Sequence, residues 1–140
     1  MTKRATAAVF REMGTPISIE QIEVESPRRD EVMLRVVACG VCHSDLSVTN
    51  GTIPMPPPIV LGHEAAGFIE EVGEGVTDLE PGTPVVVSWI PMCGKCRYCQ
   101  IGRPALCDRQ AKAVLSLPDG TSRLMDLDGH SLHMFSGVAV

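Results

Sequence analysis

A chain of 140 residues has room for one ordinary domain, and at that size it buries roughly two thirds of its unfolded surface, so a core is within reach without disulfides. Apolar residues make up 44%, and 12 Lys+Arg against 17 Asp+Glu leave a net charge of -5, which argues against disorder and against nucleic acid or an anionic membrane as partner. The 13 Gly and 11 Pro beside 3 Phe, 1 Trp and 1 Tyr point to turn-rich β structure, and no stretch approaches a membrane span.

Near the amino terminus Lys3 and Arg4 are followed by too few apolar residues for a secretory leader, so a cytoplasmic location is expected. In a reducing compartment, clustered cysteines are metal ligands or catalytic thiols more often than disulfides. Ala7 to Phe10 and the alternating run Ile17 to Val24 flank Gly14-Thr15-Pro16 and predict a first hairpin. Glu31 to Ala38 places Val32, Leu34, Val36 and Ala38 on one face of a strand, which leads directly into Cys39-Gly40-Val41-Cys42-His43.

Ser44 to Thr49 predicts one helical turn capped by Ser44, ended by Asn50-Gly51 and the stiff segment Pro54 to Pro58. Strands are expected at Ile59 to Leu61 and Ala65 to Val72, around Gly62-His63-Glu64. Pro84 to Ser88 reads as a buried run of three valines. From Cys93 to Cys107 there is no periodicity. Val114, Leu115 and Leu117, the turn Pro118-Asp119-Gly120 and the return through Arg123 to Leu127 predict a last hairpin.

Cys93, Cys96, Cys99 and Cys107 supply four thiolates in fifteen residues, a spacing that lets a short loop wrap a tetrahedral zinc ion. Lys95, Arg97, Arg103 and Arg109 lie among them and can offset the net negative charge of a zinc tetrathiolate. Two disulfides are disfavoured by the short spacings and the compartment. An iron-sulfur cluster is disfavoured by the seven-residue last gap and the lack of a proline after Cys107.

Cys42 and His63 end two expected strands and are joined by the proline-stiffened loop, so a thiolate and an imidazole can meet. Asp45 and Glu64 stand beside them as carboxylates able to orient a ligand imidazole. A buried packing Cys, a satisfied polar His and two solvated acids are the plainer alternative. Further donors in view are His130 and His133 and Cys39, with solvent exposure expected for the two histidines and packing for the cysteine.

Gly62-His63-Glu64-Ala65-Ala66-Gly67 with Gly73 and Val76, preceded by Cys39-Gly40-Val41-Cys42-His43-Ser44-Asp45, resembles the zinc signature of medium-chain alcohol dehydrogenases. The four-cysteine loop and Pro118-Asp119-Gly120-Thr121-Ser122-Arg123 follow in the same order. The resemblance implies a mainly β fold, a GroES-like partly open β-barrel with short helices, over residues 1-140, with a zinc-binding loop lobe at 91-109. It implies that Cys42, His63 and Glu64 lie at a catalytic zinc and that Asp45 holds the ligand histidine. It also implies that Cys93, Cys96, Cys99 and Cys107 hold a structural zinc.

By the same resemblance Ser44 takes the alcohol's proton, His43 lies near the cofactor pyrophosphate, and Ile53 and Trp89 line the substrate pocket. The implied reaction oxidises a small alcohol to an aldehyde or ketone by hydride transfer to NAD or NADP. The chain departs from the pattern at Ser47, where the family's proton relay continues to a histidine. It contains no Gly-x-Gly-x-x-Gly, and the family's second zinc cysteine and cofactor domain are expected beyond Val140. The chain alone is therefore expected to be inactive and to self-associate through a face left open to water. A stand-alone zinc-binding module without catalysis is the alternative, and a zinc-ribbon nucleic-acid binder ranks last.

Overall fold

Alternation of small apolar with polar side chains builds a long hairpin from β1 (Thr2–Phe10) and β2 (Ser18–Glu25), in register from Thr2 opposite Glu25 to Val9 opposite Ser18. The first strand starts five residues before the expected Ala7, because polar Thr2, Arg4 and Thr6 occupy its solvent face. In this computed structural model, which describes residues 1–108 and 114–135, the fold is mainly β with two short helices and a 3-10 turn. Arg109 lies outside the described residues, as does the last position of the expected lobe.

β3 (Val32–Cys39) pairs antiparallel with β5 (Ala65–Val72), which also pairs with β6 (Pro84–Val86), giving a sheet of order β3-β5-β6. β4 (Ile59–Val60), β7 (Leu124–Met125) and β8 (His133–Met134) complete the other sheet, of order β7-β2-β1-β4-β8. Together they form the nearly closed, barrel-like arrangement expected of a GroES-like domain. Its interior is filled from one side by Val9, Ile22, Val60, Leu124, Leu132 and Met134, and from the other by Phe10, Val48, Ile59, Leu61 and Phe135. Each such fully buried side chain stabilises the fold by about 1.5–3 kcal/mol.

Three expectations are corrected. The valines of Pro84 to Ser88 are not a buried run: on β6, the edge strand of its sheet, Val86 is 82% exposed and Val85 and Val87 are half-buried. On β3, register shifts between Met33 and Leu34 and between Val36 and Ala38 break the simple alternation, and Val32, Val36 and Val37 are exposed. The last hairpin does not form as expected. Leu117 N donates to Thr121 O (2.9 Å) and closes the turn, but Leu124 and Met125 then pair with Val24 and Glu23 of β2. The chain reverses again after Asp126, Met125 bridges to Ser131, and β8 joins β4 in parallel. An apolar alternating segment is satisfied by any open strand edge, and here it pairs with that of β2.

Arg123 anchors this return. It is only 4% exposed, and its Nη2 donates to Glu31 Oε1 (2.6 Å) and Asp119 Oδ2 (2.6 Å) while Nε donates to Glu31 Oε2 (2.9 Å). A buried guanidinium is tolerable only because it is paired in this way, and the pairing ties the 118–121 turn to the residue preceding β3.

Candidate metal centres

The lobe carries little regular structure, namely α2 (Arg97–Gln100) and a 3-10 turn (Pro104–Leu106). Among its described residues Cys107 alone is buried, and Tyr98, Ile101 and Leu106 are exposed. What converges is sulfur. The Sγ atoms of Cys93, Cys96, Cys99 and Cys107 lie within 4.8 Å of one another, and all four cysteines are free thiols. Four Zn–S bonds of about 2.3 Å require sulfurs about 3.8 Å apart, a separation within the bound the four sulfurs keep, so the cluster suits a tetrahedral ion.

Main-chain groups prepare these sulfurs for charge. Cys96 N donates to Cys93 Sγ (3.3 Å) and Cys93 N donates to Cys107 Sγ (3.4 Å). Main-chain donation from Lys95 and Cys96 pulls the Cys93 thiol down to about 6, whereas desolvation and the neighbouring Cys96 push Cys99 up to about 11. Lys95, Arg97 and Arg103 are exposed around the cluster.

The second constellation forms where β3 and β4 run out. α1 (His43–Thr49) starts at Cys42, which is its N-cap, and not at the expected Ser44. Asp45, buried in the first turn, accepts from Cys42 N through Oδ2 (3.1 Å) and from Gly62 N through Oδ1 (3.1 Å). One carboxylate thereby clamps the segments that carry Cys42 and His63. Gly62, at φ 102, takes a left-handed conformation that turns the chain between β4 and β5 so that His63 enters the interior.

His63 is 4% exposed, with the Phe135 ring edge-on (centroids 4.9 Å apart) and Trp89 tilted against it (5.7 Å). Its Nδ1 is a buried atom with no hydrogen-bond partner and lies 3.5 Å from Asp45 Oδ1, while Nε2 is 3.3 Å from Ser44 Oγ. A proton on Nδ1 would face the Asp45 carboxylate and leave the Nε2 lone pair for a metal.

Donor atoms of Cys42, His63 and Glu64 lie within 4.8 Å of one another, and His63 and Glu64 line a cleft of about 520 Å³ bordered also by Gly40, Val86 and Trp89. A soft thiolate, an imidazole and a carboxylate are donors that suit zinc and leave a fourth position open. The group therefore fits.

Other expected residues fall less directly on this cleft. Ile53 lies in a separate groove of about 370 Å³ with Met13, Val48 and Met55. His43 is exposed, and its Nδ1 is 3.3 Å from Ser47 Oγ, which also donates to His43 O (3.1 Å). Cys39, expected to be packing, is exposed and borders the cleft. His130 turns to Asp126 (Nδ1 to Oδ2, 3.3 Å), and His133 sits on β8 opposite Ile59, so neither joins the centre. Sequence reasoning missed Phe135, far along the chain, and Gly40, whose role only spatial proximity reveals.

A partly open β-barrel bearing a four-cysteine lobe and a Cys-His-Glu cleft defines a GroES-like domain with two candidate metal sites. Residues 28–132 match the family model described as the alcohol dehydrogenase GroES-like domain, and the chain belongs to that family. The NDMA-dependent alcohol dehydrogenase of Amycolatopsis methanolica is 47% identical over 121 residues, which are 86% of this chain and 33% of that protein. The chain thus spans about a third of the length of the curated relatives it matches.

Among solved structures, an alcohol dehydrogenase zinc-binding domain protein from Burkholderia ambifaria superposes with a TM-score of 0.88 at 44% identity, covering 97% of this chain and 37% of that one. Benzyl alcohol dehydrogenase from Acinetobacter calcoaceticus gives a TM-score of 0.80 at 37% identity, covering 96% and 36%.

Proposed function

We propose that this chain is the metal-holding part of a zinc-dependent alcohol dehydrogenase that oxidises a small alcohol to an aldehyde or ketone, with NAD or NADP as hydride acceptor held elsewhere in the protein. The observation that carries the reading is the meeting of Cys42, His63 and Glu64 at the cleft bordered by Trp89. Zinc bound there supplies Lewis acidity that eases loss of the alcohol's proton. Ser44 Oγ, beside the donor set, receives that proton and releases its own to water. Asp45 keeps Cys42 and His63 in place through the two main-chain groups it accepts from.

Trp89 shapes the cleft around the substrate carbon, and exposed His43 offers a ring N–H to the cofactor pyrophosphate, whereas Ile53 stands in the separate groove and has no part in this reading. Six free thiols support a reducing, cytoplasmic setting, and the acidic balance supports neither nucleic acid nor a membrane as partner. Among the described residues no helix is long and apolar enough to cross a membrane. Exposed Val36, Val37 and Val86 support self-association of the isolated chain, which sedimentation equilibrium measures.

The test is alcohol-dependent reduction of NAD⁺ or NADP⁺ by the intact gene product. Cys42→Ser and His63→Ala are expected to lower kcat/KM by more than about 100-fold while the lobe keeps its zinc. Undiminished turnover in either variant overturns the reading. A non-catalytic zinc module is the second reading, favoured by the completeness of the four-sulfur cluster. It predicts one zinc per chain and no nicotinamide reduction by the intact product.

A further inference from the structure

The position of Glu64 in the donor set depends on a residue with no side chain. Gly40 follows β3, and its N donates to Glu64 O (2.8 Å), so the main chains at 40 and 64 are fixed against each other. Gly40 is not among the glycines with positive φ, and its backbone conformation is therefore open to any residue. The space beside it is not open. A Cβ built there would overlap Glu64 Oε2 and lie 3.2 Å from Glu64 Cβ and 3.3 Å from Glu64 Cδ. The Glu64 carboxylate thus occupies the volume that a methyl group at position 40 would take, and from that volume it reaches Cys42 and His63.

Resting on the metal-site reading above, we infer that the missing side chain at Gly40 is the positioning device that holds Glu64 as the third donor of the cleft. A methyl group at position 40 turns a three-donor site into a two-donor site. Glu64 is exposed, so the displaced carboxylate rotates into water, and the main chains at 40 and 64 need give only slightly to relieve the 3.2 Å approach to Glu64 Cβ. The loss falls on metal affinity more than on folding.

Cobalt titration of the full chain, with the lobe first loaded with zinc, tests this through the thiolate-to-cobalt charge-transfer absorption of the remaining site. The wild-type chain is expected to take up one further equivalent. Gly40→Ala and Glu64→Ala are each expected to weaken that equivalent by at least roughly tenfold. The double variant Gly40→Ala/Glu64→Ala is expected to bind no more weakly than Glu64→Ala alone, since both changes remove the same donor. Melting of the double variant should match that of Glu64→Ala.

Wild-type affinity in Gly40→Ala overturns the inference, as does an additive loss in the double variant. Failure of the double variant to fold also overturns it, because something other than Glu64 would then constrain position 40. A wild-type chain that takes up no second equivalent overturns the metal-site reading itself, and the inference with it.

Discussion

The barrel and the lobe solve the same folding problem by different physics. In the barrel, Phe10, Val9, Ile59, Val60 and Leu132 are almost wholly buried, and their transfer from water offsets the entropy of ordering the strands. In the lobe Cys107 is the one buried residue among those described, while Ile101 and Leu106 are more than half exposed. What converges there instead is four sulfurs, and on the proposed reading a metal ion among them supplies the order that a core supplies elsewhere. The contrast teaches that apolar content does not predict where stability resides. The lobe's apolar side chains face water, and its polarisable sulfurs form its interior.

The largest expected effect separates the two regions. Chelating the metal removes folding free energy of about 10–16 kcal/mol from the lobe, and replacing Cys99 with Ser removes part of it; either should leave residues 91–108 open to proteolysis while the barrel stays protected. Native hydrogen exchange of both regions checks this, and a metal-free lobe that keeps its protection breaks the comparison. Leu132→Ala should do the converse. It lowers the urea-unfolding stability of the barrel by about 2–5 kcal/mol without altering zinc uptake by the lobe.

Arg123→Met leaves Glu31 and Asp119 without their buried partner and should cost about 3 kcal/mol, read from the same denaturation curves. The smallest effect concerns pH. Desolvation works against the Asp119 carboxylate, but hydrogen bonds from Arg123 and Thr121 outweigh it and hold its pKa down to about 2, from an ordinary 3.8. A folded-state pKa below the unfolded one means stability that is present above pH 3.8 and lost as pH falls toward about 2. Urea midpoints across that window should fall less steeply in Asp119→Asn than in the wild type.

Much of the convergence of these donors was legible in the sequence. Cysteine spacing announces a metal because three x2 or x7 gaps leave a loop with nothing else to fold around, and Gly62-His63-Glu64 stands out by its family resemblance. The first hairpin was legible because alternation and a Gly-Thr-Pro turn act over short distances. The burial of Val85 to Val87 was not, since periodicity records which side chains share a face but not whether anything covers it. The partner of β7 was equally hidden, because Leu124 and Met125 match the edge of β2 as well as that of residues 114–117.

Residue types and spacings by themselves determined that four sulfurs would converge in the lobe, because four cysteines within fifteen residues can meet in few ways. Tertiary structure alone decided that Asp45 joins Cys42 N to Gly62 N, that Phe135 lies against His63, and that Gly40 leaves room for Glu64. Apart from the Asp45–Cys42 hydrogen bond, these interactions span 17 or more residues of sequence, and nothing local encodes them. They exist because the strands carrying them close into one barrel, and packing within that barrel sets which side chains become neighbours.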